Sequence, residues 1–181
     1  RRIRYVDGLC LPGEEAEMKE FAECGFQAVV LDVSDFDDVQ LPDGTEAARR
    51  TFSACKRGLD SGIHGIQKKI PGGFIALKGS EIPATPSDPR IACFLQFQGC
   101  DWVENDLARI QAFHAKGLRI AQLTHHYGNT LAGGCMDLPQ AGLTPFGREA
   151  LREMERLRIL PDLGHASDPT GLDVLKATSR P

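Results

Sequence analysis

Apolar residues fall along the chain in six short runs, "IRYVDGL" (3–9), "QAVVLDV" (27–33), "GGFIALKG" (72–79), "RIACFLQFQG" (90–99), "LRIAQLTHH" (118–126) and "ILPDLGH" (159–165). "QAVVLDV" is continuous rather than alternating, as parallel strands buried on both faces tend to be. Between them lie stretches with helical spacing. "EEAEMKEFAECG" (14–25) repeats its apolar residues at Met18, Phe21 and Ala22 and closes on Gly25. "GTEAARRTFSACKRGLDSGIHGIQKKI" (44–70) predicts one long helix, weakened by Gly58, Gly62 and Gly65. "NDLARIQAFHAKG" (105–117) predicts a helix closed by Gly117, and "TPFGREALREMERLR" (144–158) one capped by Thr144 with Pro145 in its first turn. "DPTGLDVLKATS" (168–179) predicts a last helix with Asp168 as its N-cap.

Strands alternating with helices define an α/β chain with a parallel sheet and right-handed crossovers. An open doubly wound sheet and most of a (β/α)8 barrel both fit this pattern. A whole barrel takes about 250 residues, and this chain has 181. No glycine-rich dinucleotide fingerprint follows the first strand. The chain opens on Arg1-Arg2 and stops at "TSRP", so both ends read as cut points.

In either fold, chemistry gathers at the carboxyl ends of the strands. Those ends carry Asp7, Asp32, Lys78, Gln98, Thr124-His125-His126, and Asp162 followed by His165. Three of the chain's five histidines therefore fall on one rim, while His64 and His114 fall on helices. His125 and His126 are adjacent, so on a strand one would face the site and the other would face away. Two histidines from neighbouring strand ends suit a metal ion or a carboxylate, although zinc takes three or four ligands.

Composition removes some function classes. The formal net charge is −4 with no basic stripe, so nucleic acid is not expected as a partner. No apolar run approaches the roughly 18 residues of a membrane span. Six cysteines at 10, 24, 55, 93, 100 and 135 include no C-x-x-C pair and read as free thiols. This favours a reducing compartment such as the cytoplasm, with a removed N-terminal signal left open. A Cys100–Cys135 bridge remains an alternative, as does a rim in which Cys10, Cys100 and Cys135 supply thiolates to zinc.

Two segments, "GLRIAQLTHHYGN" and "GLTPFGREALREMERLRILPDLGHASDPTGLDVL", together with a "DGLCL" start, resemble the membrane (renal) dipeptidase family. The resemblance runs from about Tyr5 to the end. It implies a (β/α)8 TIM-type barrel of the metal-dependent hydrolase kind, of which this chain would hold about six βα units. Residues 1–181 would then form one partial barrel domain, the N-terminal part of a longer one.

The resemblance also implies a binuclear zinc site and hydrolysis of dipeptides by metal-activated water. Carried over position by position, His165 matches a zinc-binding histidine and His125 a histidine that contacts substrate. The family's opening His and Asp fall on Leu9 and Leu11, and its bridging carboxylate falls on Gln98. A further zinc histidine, and the arginine and aspartate that hold substrate, fall beyond Pro181.

Neutral Gln98 and two leucines would empty one metal position, leaving at most one ion held from this chain. Asp162 and Asp7 are expected behind the ligands, Asp162 orienting His165. Three functions follow: a metallohydrolase of a dipeptide or small amide with a reduced zinc site, a non-catalytic small-ligand barrel, or a fragment without activity of its own. Homodimer assembly is compatible with each.

Overall fold

A computed structural model of the protein describes residues 6–10, 23–40 and 44–179. Strands β1 (Val6–Cys10), β2 (Ala28–Asp32), β5 (Gly73–Ile75), β6 (Ile91–Phe97), β7 (Leu118–Gln122) and β8 (Leu160–Asp162) make one sheet. Every pairing in it is parallel, in the order β1-β2-β6-β7-β8. β5 borders the first half of β6, at Ile91–Cys93, and β7 borders its second half from Leu95 onward. Helices α1 (Phe52–Lys69), α2 (Ala108–Ala115), α3 (Pro145–Leu157) and α4 (Asp168–Ala177) follow the strands.

All six sheet strands coincide with the six apolar runs. Among the described residues β1 covers Val6–Cys10. The predicted helix at 14–25 lies mostly in residues 11–22, outside the described residues.

The long helix expected over 44–70 is corrected. Its first part is strand β4 (Glu46–Arg49), antiparallel to β3 (Asp37–Gln40), and the helix begins only at Phe52. "EAAR" has helix-forming residues, but tertiary pairing outweighs so short a preference. Thr51 sets the true start: its hydroxyl accepts the Ala54 N–H at 3.1 Å.

Gly58 and Gly62 do not break α1; they let it touch the end of β2. A β-carbon on Gly62 would lie 2.4 Å from Val33 Cγ1, and one on Gly58 2.4 Å from the Val33 carbonyl oxygen. Gly65 has open space around it.

The last helix is also capped one residue earlier than expected. Ser167, not Asp168, accepts the Thr170 N–H at 3.1 Å, and its hydroxyl donates to the Ala141 carbonyl. Serine wins because its short side chain stands where the backbone is still extended, while Pro169 fixes the first turn. Ser167→Ala is expected to lower stability by about 1–2 kcal/mol, measured by urea unfolding, since a buried cap and a buried carbonyl lose their partner together.

The period of two along each strand sorts side chains between two faces. Val29, Leu31 and Val33 of β2 and its end, and Ile91, Cys93, Leu95 and Phe97 of β6, face the helices. They pack with Leu59 and Ile66 of α1, Ile110 and Phe113 of α2, and Leu151 and Met154 of α3. Phe97, Trp102 and Phe113 meet edge to face with centroids 5.0–5.6 Å apart, the centre of that layer.

The alternate residues face the other way. Ala28, Ala92, Phe94 and Phe74 are apolar at the amino ends of the strands. Asp32, Gln96, Gln98 and Gln122 follow at the carboxyl ends and are all buried. Gln96 Nε2 on β6 donates to Asp162 Oδ2 on β8 at 2.9 Å, reaching past β7. Such a bond requires a curled sheet with this face concave. The concave face is thus apolar at its base and amide-rich at its rim. No helix among the described residues is long and apolar enough to cross a membrane.

Candidate metal centre

β7 ends at Gln122, three residues before the histidine pair. The backbone then turns sharply. Tyr127 N–H donates to the His125 carbonyl at 2.9 Å, closing a three-residue turn around His126, whose φ is +63°. The opposite-faces expectation for two neighbouring strand residues therefore does not apply. The two imidazoles lie on the same side, with ring centroids 4.2 Å apart. His165 arrives from a turn after β8 closed by Ala166 N–H to the Leu163 carbonyl at 3.1 Å, with φ of +59°. A positive φ on two non-glycine residues costs about 1–3 kcal/mol each and marks places where the surrounding structure dictates the backbone.

That surrounding structure is visible. Thr124 Oγ1 donates to the His165 carbonyl at 3.1 Å, and Cys135 N–H donates to the same oxygen at 2.9 Å. Met136 N–H donates to the His126 carbonyl at 2.8 Å. The loop holding Cys135 and Met136 is itself pinned. Asp137 accepts the Gly128 and Gly134 N–H groups, and Asn129 accepts those of Leu131 and Ala132 while donating to the Leu123 carbonyl.

The result is a cluster of His125, His126 and His165 whose nearest ligating atoms all lie within 4.8 Å of one another. Three imidazoles can hold a metal ion, and they match the donor set of zinc sites that keep a fourth position open. His126 and His165 are exposed and His125 is half-buried.

Burial, then the charges of Arg50, His126 and His165, push the His125 imidazole down to a pKa of about 4. It is neutral, and so able to ligate a metal ion, over the whole physiological range. The sign for stability follows from this. A histidine protonates near 6.5 when unfolded, so below that pH the unfolded chain binds a proton that folded His125 resists. Stability of the metal-free protein is expected to be full above about pH 6.5. It should fall as pH drops towards about 4, which thermal melts across that range would measure.

The other expected residues are placed as follows. Gln98 follows β6 directly, is 9% exposed, and precedes Gly99, whose φ is +82°. A β-carbon on Gly99 would lie 3.3 Å from His125 Cβ and 3.5 Å from Arg50 Cδ, so Gln98 enters the rim beside both. Asp162 accepts from Gln96, from Gln122 at 3.5 Å and from Gly164 N–H at 2.8 Å. A bond to the His165 ring is not among these; Asp162 meets only the backbone of the turn that precedes His165.

Asp7 accepts the Leu9 N–H at 3.0 Å, and Leu9 is 44% exposed. Leu11 lies outside the described residues. Lys78 is exposed. Gln122 Oε1 is buried with no donor among the described residues.

The thiolate alternative is corrected. Cys100 is fully buried, donates to the Gln122 carbonyl at 3.2 Å, and burial holds its pKa well above 9. Such a thiol stays protonated and faces the helix layer. Cys100 and Cys135 are both free, so no bridge joins them.

Two rim positions are not evident from sequence. Nothing in the spacing gives His126 a role, although Gly128-Asn129 just beyond it signals that the strand has already ended. Arg50 was hidden inside the presumed helix.

A concave parallel sheet with a polar carboxyl rim defines a barrel-type protein, and the three converging imidazoles on that rim could hold a metal ion. The family model described as membrane dipeptidase (peptidase family M19) matches residues 61–181, and the chain belongs to that family. An uncharacterized dipeptidase of Schizosaccharomyces pombe is 32% identical over 112 residues, 60% of this chain and 27% of the relative.

An amidohydrolase from Pseudomonas aeruginosa superposes with a TM-score of 0.81 at 22% identity, over 98% of this chain and 51% of its own. A metallo peptidase from Rhodobacter sphaeroides, liganded with a phosphinate mimic of the dipeptide L-Ala-D-Ala, gives 0.75 at 16% identity. That match covers 100% of this chain and 64% of the other. The described sheet is accordingly a curled half-barrel, and the chain spans about a quarter to two thirds of the length of these proteins.

Proposed function

We propose that the protein is a dipeptidase-type metallohydrolase that holds one zinc ion on His125, His126 and His165 and acts on a dipeptide or another small amide. Residues 1–181 would belong to a single barrel domain. The observation that carries this reading is the convergence of three imidazoles at the carboxyl ends of a parallel half-barrel. Family membership supports the reaction class.

Zinc, when bound, supplies Lewis acidity and brings the pKa of a water molecule down towards about 7. The chain's own residues do the rest. His125 resists protonation, so all three rings need not compete equally with protons for the ion. Thr124, Cys135 and Met136 fix two of the histidine carbonyls and so limit how the rings can move. Gln96, Gln98 and Gln122 give the concave rim dipoles without charge.

A second divalent ion would need carboxylates around it. Leu9 and Leu11 stand where the resemblance places a His and an Asp, and Gln98 where it places the bridging carboxylate. The same three residues favour the second reading, a barrel that binds a small ligand without cleaving it.

Zinc titration and dipeptide hydrolysis by the full-length protein test both. One equivalent of zinc with hydrolysis supports the first reading, and one equivalent without hydrolysis supports the second. Two equivalents would overturn the single-ion assignment, and none would overturn the metal centre.

A further inference from the structure

Below the histidines, the concave face holds more acceptors than donors. Gln96 Nε2 on β6 donates to Asp162 Oδ2 at 2.9 Å, and Gln122 Nε2 on β7 points at the same oxygen from 3.5 Å. Gly164 N–H donates to Asp162 Oδ1 at 2.8 Å. The partners of this half-buried carboxylate among the described residues are therefore two amides and one backbone N–H, all of them neutral. Asp32, opposite Gln96 in the ladder, is provided for separately by the Ser34 hydroxyl and N–H.

An amide that turns its NH2 group to a carboxylate turns its carbonyl oxygen elsewhere. In Gln122, a residue 2% exposed, that oxygen is buried and meets no donor among the described residues. Flipping the amide does not help, because it would set the oxygen against Asp162 Oδ2, acceptor to acceptor. The amide is also packed against the turn that leads to His165: a β-carbon on Gly164 would lie 2.5 Å from Gln122 Nε2 and 3.2 Å from Asp162 Oδ1.

An orphaned amide oxygen beside a carboxylate is the donor chemistry of a hard cation. The pair carries one negative charge, so a monovalent ion balances it, whereas a divalent ion would leave an excess charge in a buried place. A water molecule would satisfy the carbonyl and leave the carboxylate without a counter-charge.

We propose that the Gln122 carbonyl oxygen and the Asp162 carboxylate bind a monovalent cation beneath the rim, separate from any ion on the histidine cluster. The cation ties β7 to β8 where the chain turns towards His165. It is held whether or not the histidines take zinc.

Thermal melts of the metal-free full-length protein test this, in potassium, sodium or ammonium chloride balanced to one ionic strength with tetramethylammonium chloride. Raising the favoured ion from about 1 to 100 mM is expected to lift the melting temperature by about 3 °C, and the ion that gives the largest shift is the one the site takes. Gln122→Leu and Asp162→Asn should each melt alike in every salt. Gln111→Leu, which removes an exposed amide from α2, should keep the shift. Melting of the unmodified protein that ignores all three ions overturns the site and leaves water as the partner of Gln122. A shift that survives in both Gln122→Leu and Asp162→Asn overturns it as well, because the ion then binds elsewhere. Should Gln122→Leu fail to fold, Gln122→Met takes its place, and the salt series on the unmodified protein still decides.

Discussion

His126→Ala is expected to weaken zinc binding by about 100-fold or more, as much as His165→Ala, while the metal-free protein melts where the unmodified protein does. The magnitude comes from removing one of three protein ligands from a site whose total affinity those ligands share. The unchanged melt follows from exposure: the His126 ring is at the surface, and alanine there loses little packing. The turn at φ +63° favours histidine only modestly over alanine, so little backbone strain is added.

Isothermal titration with zinc, paired with a thermal melt of the metal-free protein, separates the two effects. Unaltered affinity in His126→Ala would remove His126 from the ligand set and leave His125 and His165 to find a partner elsewhere.

Gly147→Ala is expected to cost about 3 kcal/mol or more and to reduce metal affinity with it. Intrinsic preference points the other way, because alanine inside a helix is better than glycine by about 1 kcal/mol. Sterics reverse the sign. A β-carbon at 147 would lie 1.9 Å from the Leu131 carbonyl oxygen and 2.8 Å from its carbon. That oxygen accepts the Thr144 N–H at 2.9 Å, which is what draws the loop against the first turn of α3. No rotamer relieves a clash with backbone, so the loop must shift and give up that bond.

The loop continues from Leu131 to Cys135 and Met136, which hold the His165 and His126 carbonyls, so displacement reaches the histidines. Gly65→Ala serves as the control. Nothing lies within 4 Å of its missing side chain, and alanine there should stabilise α1 by up to about 1 kcal/mol. Chemical denaturation of the two variants should give opposite signs.

The two expectations also show where sequence pattern reaches and where it stops. The parallel sheet was legible because apolar runs alternate with helical spacing, and β2, buried along its whole length, is the continuous run that strands covered on both faces show. The β3–β4 hairpin was not legible. Its second strand, "EAAR", has helical composition, and only pairing with Asp37–Gln40 makes it extended.

The rim was readable residue type by residue type: Thr124, Gln98, Asp162 and the histidines all lie at strand ends. Which of them meet was not. The meeting of His125 and His126 depends on one three-residue turn, and that of His165 with both depends on two backbone bonds from a distant loop. Arg50 joins the site only because the hairpin returns the chain to the rim. Such contacts are set by backbone geometry between elements, on which local spacing carries little information.

The bonds from Cys135 and Met136 have a consequence for observing the site. Each ties one amide proton to the carbonyl of one histidine, at 2.9 and 2.8 Å, within a loop pinned by Asp137. Those two amides are therefore natural reporters of occupancy. When an ion draws the three rings together, their hydrogen-exchange rates should slow in step, while the amides of Leu172 and Leu175 on the distant face of α4 exchange as before.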